Sequence, residues 1–251
     1  MFPLDLNFGA ADFVGGQLYL LEGDSNQLYD FDTATVQLSL VGESPLSANE
    51  NWVGLAYDKS RSKLFGLSAG TDRNTLFEVD PQSGAVTSLG EINVGFPIWL
   101  AISDTGAMYT LDVVNDEIYQ IDTTSLEVQS LGYIGFNANF LQDADFDPPT
   151  GLLYLAAFNE DLNRAELRVI NISGGTESVF LGSFPETQAV QAYAILELGP
   201  ATTPVRYGYS WSPNLGFAQP GDTALANPSI NYVSDTTYYL RITDGCGSSS
   251  V

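Results

Sequence analysis

Histidine is missing from all 251 residues, and cysteine occurs once, at Cys246. Without imidazole the most common general base and transition-metal ligand are gone, and a single thiol allows no intrachain disulfide. Basic residues are nearly as scarce, with 8 Lys and Arg against 31 Asp and Glu and a net charge of −23. Such a chain cannot neutralise a row of phosphates, which excludes nucleic acid as a partner, and an anionic membrane surface repels it. No window holds the ~18 consecutive apolar residues that a membrane span needs. The opening MFPLDLNFG has neither a basic start nor an apolar signal core. Either export information has been removed, or this is an internal piece of a longer chain.

Catalytic motifs are lacking too. There is no G-x-S-x-G elbow, no glycine-rich phosphate loop and no cluster with metal-ligand spacing, and Cys246 lies in a terminal turn. The sequence therefore predicts a protein that is not an enzyme, with no cofactor and no metal. One catalytic alternative survives, because a glycosidase needs only two carboxylates at a suitable separation and leaves no motif behind.

What the chain does have is a repeat. A unit of about 45 residues occurs four times between Gly9 and Leu198, a period that marks propeller blades or other stacked arrays. The first halves read GAADFVGGQLYLL from Gly9, GLAYDKSRSKLFGL from Gly54, WLAISDTGAMYTL from Trp99 and DADFDPPTGLLYL from Asp143. The second halves read QLYDFDTATVQLSLVG, TLFEVDPQSGAVTSLG, EIYQIDTTSLEVQSLG and ELRVINISGGTESVFLG. Each unit holds four short alternating strands divided by Asp, Pro, Ser, Thr and Gly turns, which is the pattern of a four-stranded blade. Asp32, Asp58, Asp80, Asp104, Asp122 and Asp147 each follow an apolar strand. There a carboxylate can accept backbone N–H bonds and pin an Asx-type turn, and none has the spacing of a calcium loop.

The fold class is all-β, with a β-propeller over residues 1–199, a linker at 200–205 and a second module over 206–251. After the four units, VQAYAILEL from Val190 reads as the inner strand of a fifth. Two readings stand: a fifth blade completed by strands of the tail, or a surplus strand that closes the ring.

In a propeller the loops leading into the innermost strands, with those joining second and third strands, gather on one face around the channel. The residues assigned to a binding face on this basis are Trp52, Trp99, Phe140, Asp72, Arg73, Asp116 and Asp161. Exposed aromatics beside carboxylates and amides suit a sugar- or peptide-binding surface. The competing reading has Trp52, Trp99 and Phe140 plugging the spaces between blades.

Past GPATTP the rhythm changes. The stretch from Tyr209 has a Tyr-x-Trp-x-Pro strand (Tyr209, Trp211, Pro213), a loop glycine (Gly216), Asn227-Pro228, a Thr236-Thr237-Tyr238 strand and Thr243-Asp244 leading into Cys246. It resembles the PKD-like, immunoglobulin-type repeats of large type IX-secreted surface proteins of the Bacteroidetes, and covers about 45 residues. The closing turn is tighter than in that family and the opening strands are missing, so the resemblance implies a partial immunoglobulin-like β-sandwich with open strand edges. It further implies an extracellular or cell-surface segment of an adhesin or appendage protein, acting in adhesion, recognition or as a structural link. Its expected partners are other domains or copies of the same large protein and cell-surface glycan or protein, with self-association through the sandwich edge.

Overall fold

The computed structural model describes residues 6–184, 190 and 192–196, together with the strands at 208–212, 239–243 and 249–250. Two units are distinguished, Met1–Glu197 and Leu198–Val251. The described residues contain strands and a short 3-10 turn at Ile172–Gly174, and no α-helix.

The first unit is a β-propeller of four blades, each a four-stranded antiparallel meander. Blade 1 comprises β1 (Phe8–Val14), β2 (Gln17–Glu22), β3 (Gln27–Asp32) and β4 (Gln37–Glu43). Blade 2 comprises β5 (Glu50–Asp58), β6 (Lys63–Gly70), β7 (Asn74–Val79) and β8 (Val86–Glu91). Blade 3 has β9 (Ala101–Ile102), β10 (Met108–Asp112), β11 (Glu117–Ile121) and β12 (Val128–Tyr133), and blade 4 has β13 (Asp143–Asp147), β14 (Leu152–Asn159), β15 (Arg164–Ile170) and β16 (Val179–Ser183). The inner strands β1, β5, β9 and β13 neighbour one another in that order.

Strand alternation builds the core as layers between blades rather than as one central mass. On β6, Leu64 packs with Leu21, Leu28, Trp52 and Leu55 toward blade 1, while Phe65 and Leu67 join Leu100, Met108 and Ile121 toward blade 3. A third layer between blades 3 and 4 holds Trp99, Leu111, Ile118, Phe146, Leu153 and Ile170. Blades 2 and 3 thus bury both faces, and their middle strands β6 and β10 are buried nearly throughout. Outer strands such as β8, with Thr87, Ser88 and Leu89 exposed, face solvent. Gly66 has a steric reason: a Cβ there would come within 2.6 Å of the Trp52 ring.

The turn aspartates act largely as expected. Asp32 accepts from Ala34 and Thr35 N–H at 2.8 and 3.1 Å, and Asp122 accepts from Thr124 and Ser125 N–H at 2.8 Å each. Asp80 takes Gln82 N–H and the Ser83 hydroxyl, Asp58 takes Ser60 and Arg61, and Asp147 takes the Thr150 hydroxyl. Asp104 departs from the pattern: it pairs with Lys59 at 3.5 Å, and Ser103 Oγ accepts the Ala107 N–H bond in its turn.

After blade 4 the chain returns to the channel side of β13. Tyr193 N–H donates to Asp143 at 2.8 Å and Ile195 N–H to Asp145 at 2.7 Å. Asp145 pairs across its blade with Tyr154, as Asp12 pairs with Tyr19, so the two aspartates hold one repeat position. Asp12 in turn accepts the N–H of Tyr57 on β5. Residues 192–196 therefore stand to blade 4 as β5 stands to blade 1, in the inner-strand place of a fifth blade.

The second unit shows a three-stranded antiparallel sheet in the order β17 (Gly208–Ser212), β18 (Tyr239–Thr243), β19 (Ser249–Ser250), with Trp211 opposite Leu240. The linker and most of the immunoglobulin-like module assigned from sequence lie outside the described residues.

Candidate functional site

The starts of β1 and β5 and the segments leading into β1, β9 and β13 converge on one cavity of about 340 Å³. Blade 1 supplies Asn7, Gly9 and Asp24, and blade 2 supplies Asn51, Trp52, Val53 and Ala69. Blade 3 adds Phe96 and Ile98, and blade 4 adds Phe140, Leu141 and Gln142. Because every blade contributes, the cavity sits where the lead-in segments meet at the mouth of the channel.

Carboxylates buried behind the wall hold these segments in place. Glu22, at the end of β2, accepts from Asn7 N–H at 3.2 Å and from the N–H and hydroxyl of Ser25. Burial pushes its carboxyl up, but the Ser25 and Asn7 bonds outweigh that and hold it below the usual range. Asp112 ends β10 at the same repeat position and is 3% exposed. It accepts from Gly95, Phe96 and Val114 N–H at 3.0, 2.9 and 2.9 Å. Gly9 lets blade 1 approach blade 2, since a Cβ there would lie 2.6 Å from the Trp52 carbonyl oxygen.

The blade 4 side is built from a short, self-bonded loop. Phe140 N–H donates to Asn139 Oδ1 at 2.6 Å, Leu141 adopts φ +65°, and Gln142 Nε2 donates to the Asn139 carbonyl. A left-handed leucine is a strained conformation for a bulky side chain. Phe140 and Leu141 are left 49% and 51% exposed, with the Phe140 ring edge-on to Phe96 at 5.2 Å. Gln142 is buried, and its Oε1 has no partner among the described residues. The Nε2 bond to a carbonyl fixes the amide orientation, so the orphan atom is an acceptor.

Of the residues assigned from sequence, Trp52 and Phe140 line this cavity and the others do not. Trp52 is 2% exposed, donates its indole N–H to Ser44 O at 3.0 Å and packs edge-on against Phe77, so it is floor and interblade plug together. Trp99 is fully buried in the layer between blades 3 and 4 and offers no surface. Asp72 and Arg73 line a separate cleft, where Arg73 pairs with Glu50 at 3.1 Å. Asp116 accepts the Ala138 N–H at 2.9 Å and ties blade 3 to the lead-in of blade 4, and burial with nearby Glu160 and Asp161 raises its carboxyl. Asp161 takes the Asn137 amide at 3.3 Å.

Sequence reasoning missed Asn7, Val53, Phe96, Leu141 and Gln142. Val53, Leu141 and Gln142 lie one or two residues beyond the aromatics on which the lead-in rule settled, and Phe96 three before Trp99, whereas no residue of the blade 1 lead-in was assigned.

Deeper in the channel stand Asp12, Asp143 and Asp145. Burial is the leading cause that raises each, and it lifts Asp145 to about 7. Each accepts backbone N–H groups of a neighbouring inner strand or segment, so these acids satisfy free strand edges. No group of three or more acidic, His or Cys side chains suited to a metal occurs among the described residues.

No known protein family matches the sequence, and no curated protein matches it. Solved structures do. The propeller is similar to a GH43 glycoside hydrolase engineered to display both endo-xylanase and exo-arabinofuranosidase activity, with a TM-score of 0.55 at 12% identity over 73% of this chain and 43% of that one. It is similar to a protein of unknown function from Bacteroides caccae, with a TM-score of 0.51 at 10% identity over 78% of this chain and 89% of that one. A chain of a nidogen/laminin complex matches with a TM-score of 0.48 at 16% identity over 66% of this chain and 61% of that one. At these identities the likeness shows the fold. The chain spans 61% of the nidogen/laminin chain and less than half of the glycoside hydrolase.

The matches correct one expectation. The absence of motifs was read as absence of catalysis, yet a glycoside hydrolase is among the solved structures with this propeller fold. A two-carboxylate mechanism leaves no local motif, so its absence from the sequence excluded nothing.

Proposed function

We propose that the propeller is the recognition head of an exported surface or appendage protein, and that the cavity at the channel mouth is its binding site. The observation that carries this is the convergence of four blades on one concave space with an apolar side and a polar rim. Small-ligand sites have this character, a mainly apolar wall with a few placed polar groups. The resemblance of the tail to secreted Bacteroidetes repeats supports a cell-surface setting. In that setting the second unit links the head to further domains or copies, and the ligand is a cell-surface or environmental glycan or protein.

Asn51 is exposed on the cavity wall, so Asn51→Trp fills the space without disturbing the core. The full chain is titrated against a panel of oligosaccharides and peptides by calorimetry, and saturable binding is expected that N51W abolishes. Binding that N51W leaves unchanged would move the site elsewhere. The same panel, assayed for reducing-end release, shows whether recognition leads to cleavage.

A further inference from the structure

The blade 4 loop carries two local costs at the same place. Gln142 holds a buried acceptor with no partner, and Leu141 is held in a left-handed conformation beside it. An unsatisfied buried acceptor costs about 1–3 kcal/mol, and a strained backbone position costs a similar amount. Backbone strain clusters at ligand clamps and active sites, and a buried acceptor without a partner calls for one. Gln142 lines the cavity beside the exposed Phe140 and Leu141, so a ligand seated against these side chains lies next to its amide.

Resting on the cavity as the binding site, we infer that the ligand is an uncharged sugar residue at a glycan chain end, placing an apolar ring face on Phe140 and donating a hydroxyl to Gln142 Oε1. Three observations select this chemistry. A hydroxyl both donates and accepts, so one sugar can satisfy Oε1 while taking bonds from the Asn7 and Asn51 amides that blades 1 and 2 contribute to the lining. The cavity is a half-open cup of about 340 Å³, which suits a ring rather than an extended peptide, whose recognition uses a strand edge or a long groove. Asp24 on the rim and a net charge of −23 repel uronic or sulfated sugars.

The test titrates the full chain with glucose, galactose, mannose and xylose, their methyl glycosides and β-linked disaccharides, with glucuronate and a neutral Gly-Ser peptide as controls, following cavity amides by NMR. At least one neutral sugar is expected to saturate, and glucuronate and the peptide are not. Phe140→Ala, at an exposed position, is expected to weaken that sugar about tenfold, the upper range of an aromatic contact. Gln142→Met removes the acceptor at similar volume and is expected to weaken it by about two- to tenfold. The deoxy sugar lacking the recognised hydroxyl should bind the wild type more weakly but lose nothing further in Q142M. If Q142M fails to fold, the F140A and deoxy-sugar comparisons decide alone. Peptide binding that F140A abolishes, with no sugar bound, overturns the sugar assignment and leaves the cavity reading standing. Sugar binding unaffected by F140A, or no saturable binding by any probe, overturns both.

Discussion

Replacing Asp145 by asparagine should make the protein more stable at pH 8 and less stable at pH 4. Burial raises the Asp145 carboxyl from 3.8 to about 7. A carboxyl raised on folding binds its proton more tightly in the native state, so its contribution is fully present below about pH 4 and is lost as pH climbs to about 7. Roughly three pH units at about 1.4 kcal/mol each set a ceiling of about 4 kcal/mol. Against that, the two Asp145 oxygens accept separate N–H groups, Phe146 at 2.7 Å and Ile195 at 2.7 Å. Asparagine has a single acceptor oxygen, so one N–H goes unpaired at a cost of about 1–3 kcal/mol. That cost is set against a relief of the buried charge that grows from about pH 4 to its ceiling near pH 7, so the stability curves of D145N and wild type should cross between pH 4 and 7. Urea denaturation of the full chain at half-unit steps measures this, with fluorescence of the buried Trp52 and Trp99 read in a Trp211→Phe background. The window is unusually clean because the chain has no histidine. Asp12 and Asp143 titrate in the same direction, and loss of the Asp145 charge also relieves Asp12, which steepens the contrast. If D145N lies below wild type by a constant amount from pH 4 to 8, Asp145 is ionised at no cost in the fold and the burial argument fails.

Gly54→Ala should cost several kcal/mol in denaturant titrations, because its Cβ would lie 2.4 Å from the Leu100 nitrogen and 2.9 Å from the Trp99 carbonyl carbon, both backbone atoms of the next blade. Asp112→Ala should release the blade 3 lead-in, seen as lost hydrogen-exchange protection at Gly95, Phe96 and Val114, while amides of blade 1 stay protected. Below about pH 4 stability should fall as Glu22, Asp58 and Glu166 protonate, since hydrogen bonds hold all three below their usual range despite burial; acid titration of Arg61→Ala should lose the Asp58 share of that drop.

The fold was legible because the repeat is carried by strand alternation and turn aspartates, both local features. Asp32, Asp80 and Asp122 needed only their next two or three residues to declare the turn. The inner-strand place of 192–196 was legible as a pattern, but its register was not. That register depends on Asp143 and Asp145 reaching backbone N–H groups 50 residues away. The tryptophans could be read from sequence as surface or as interblade plugs, and what decides is distant: Gly66 opens a slot for Trp52 at the start of β5 and the blade 3–4 layer takes Trp99, and neither neighbour is near in sequence.

The cavity itself consists of departures from the repeat. Within the strands the four blades repeat one apolar position after another: Leu18, Leu64, Met108 and Leu153 occupy one place, each opposite an inner-strand partner. The lead-in segments share no such pattern, with Asn7 in blade 1, Asn51 in blade 2, Phe96 in blade 3 and the Phe140-Leu141-Gln142 loop in blade 4. A ring of identical lead-ins would present a symmetric mouth with equal chemistry on every side. Unequal ones give an aromatic part and an amide part, which a ligand with one apolar and one polar face can recognise in a single orientation. The strands' sameness sets the distances across the mouth, and the loops' difference sets what fits there. If that division of labour is right, exchanging the 139–142 loop for the blade 2 sequence should leave the denaturation midpoint within about 1 kcal/mol of wild type and abolish binding; a swap that unfolds the propeller would show that the loop belongs to the scaffold.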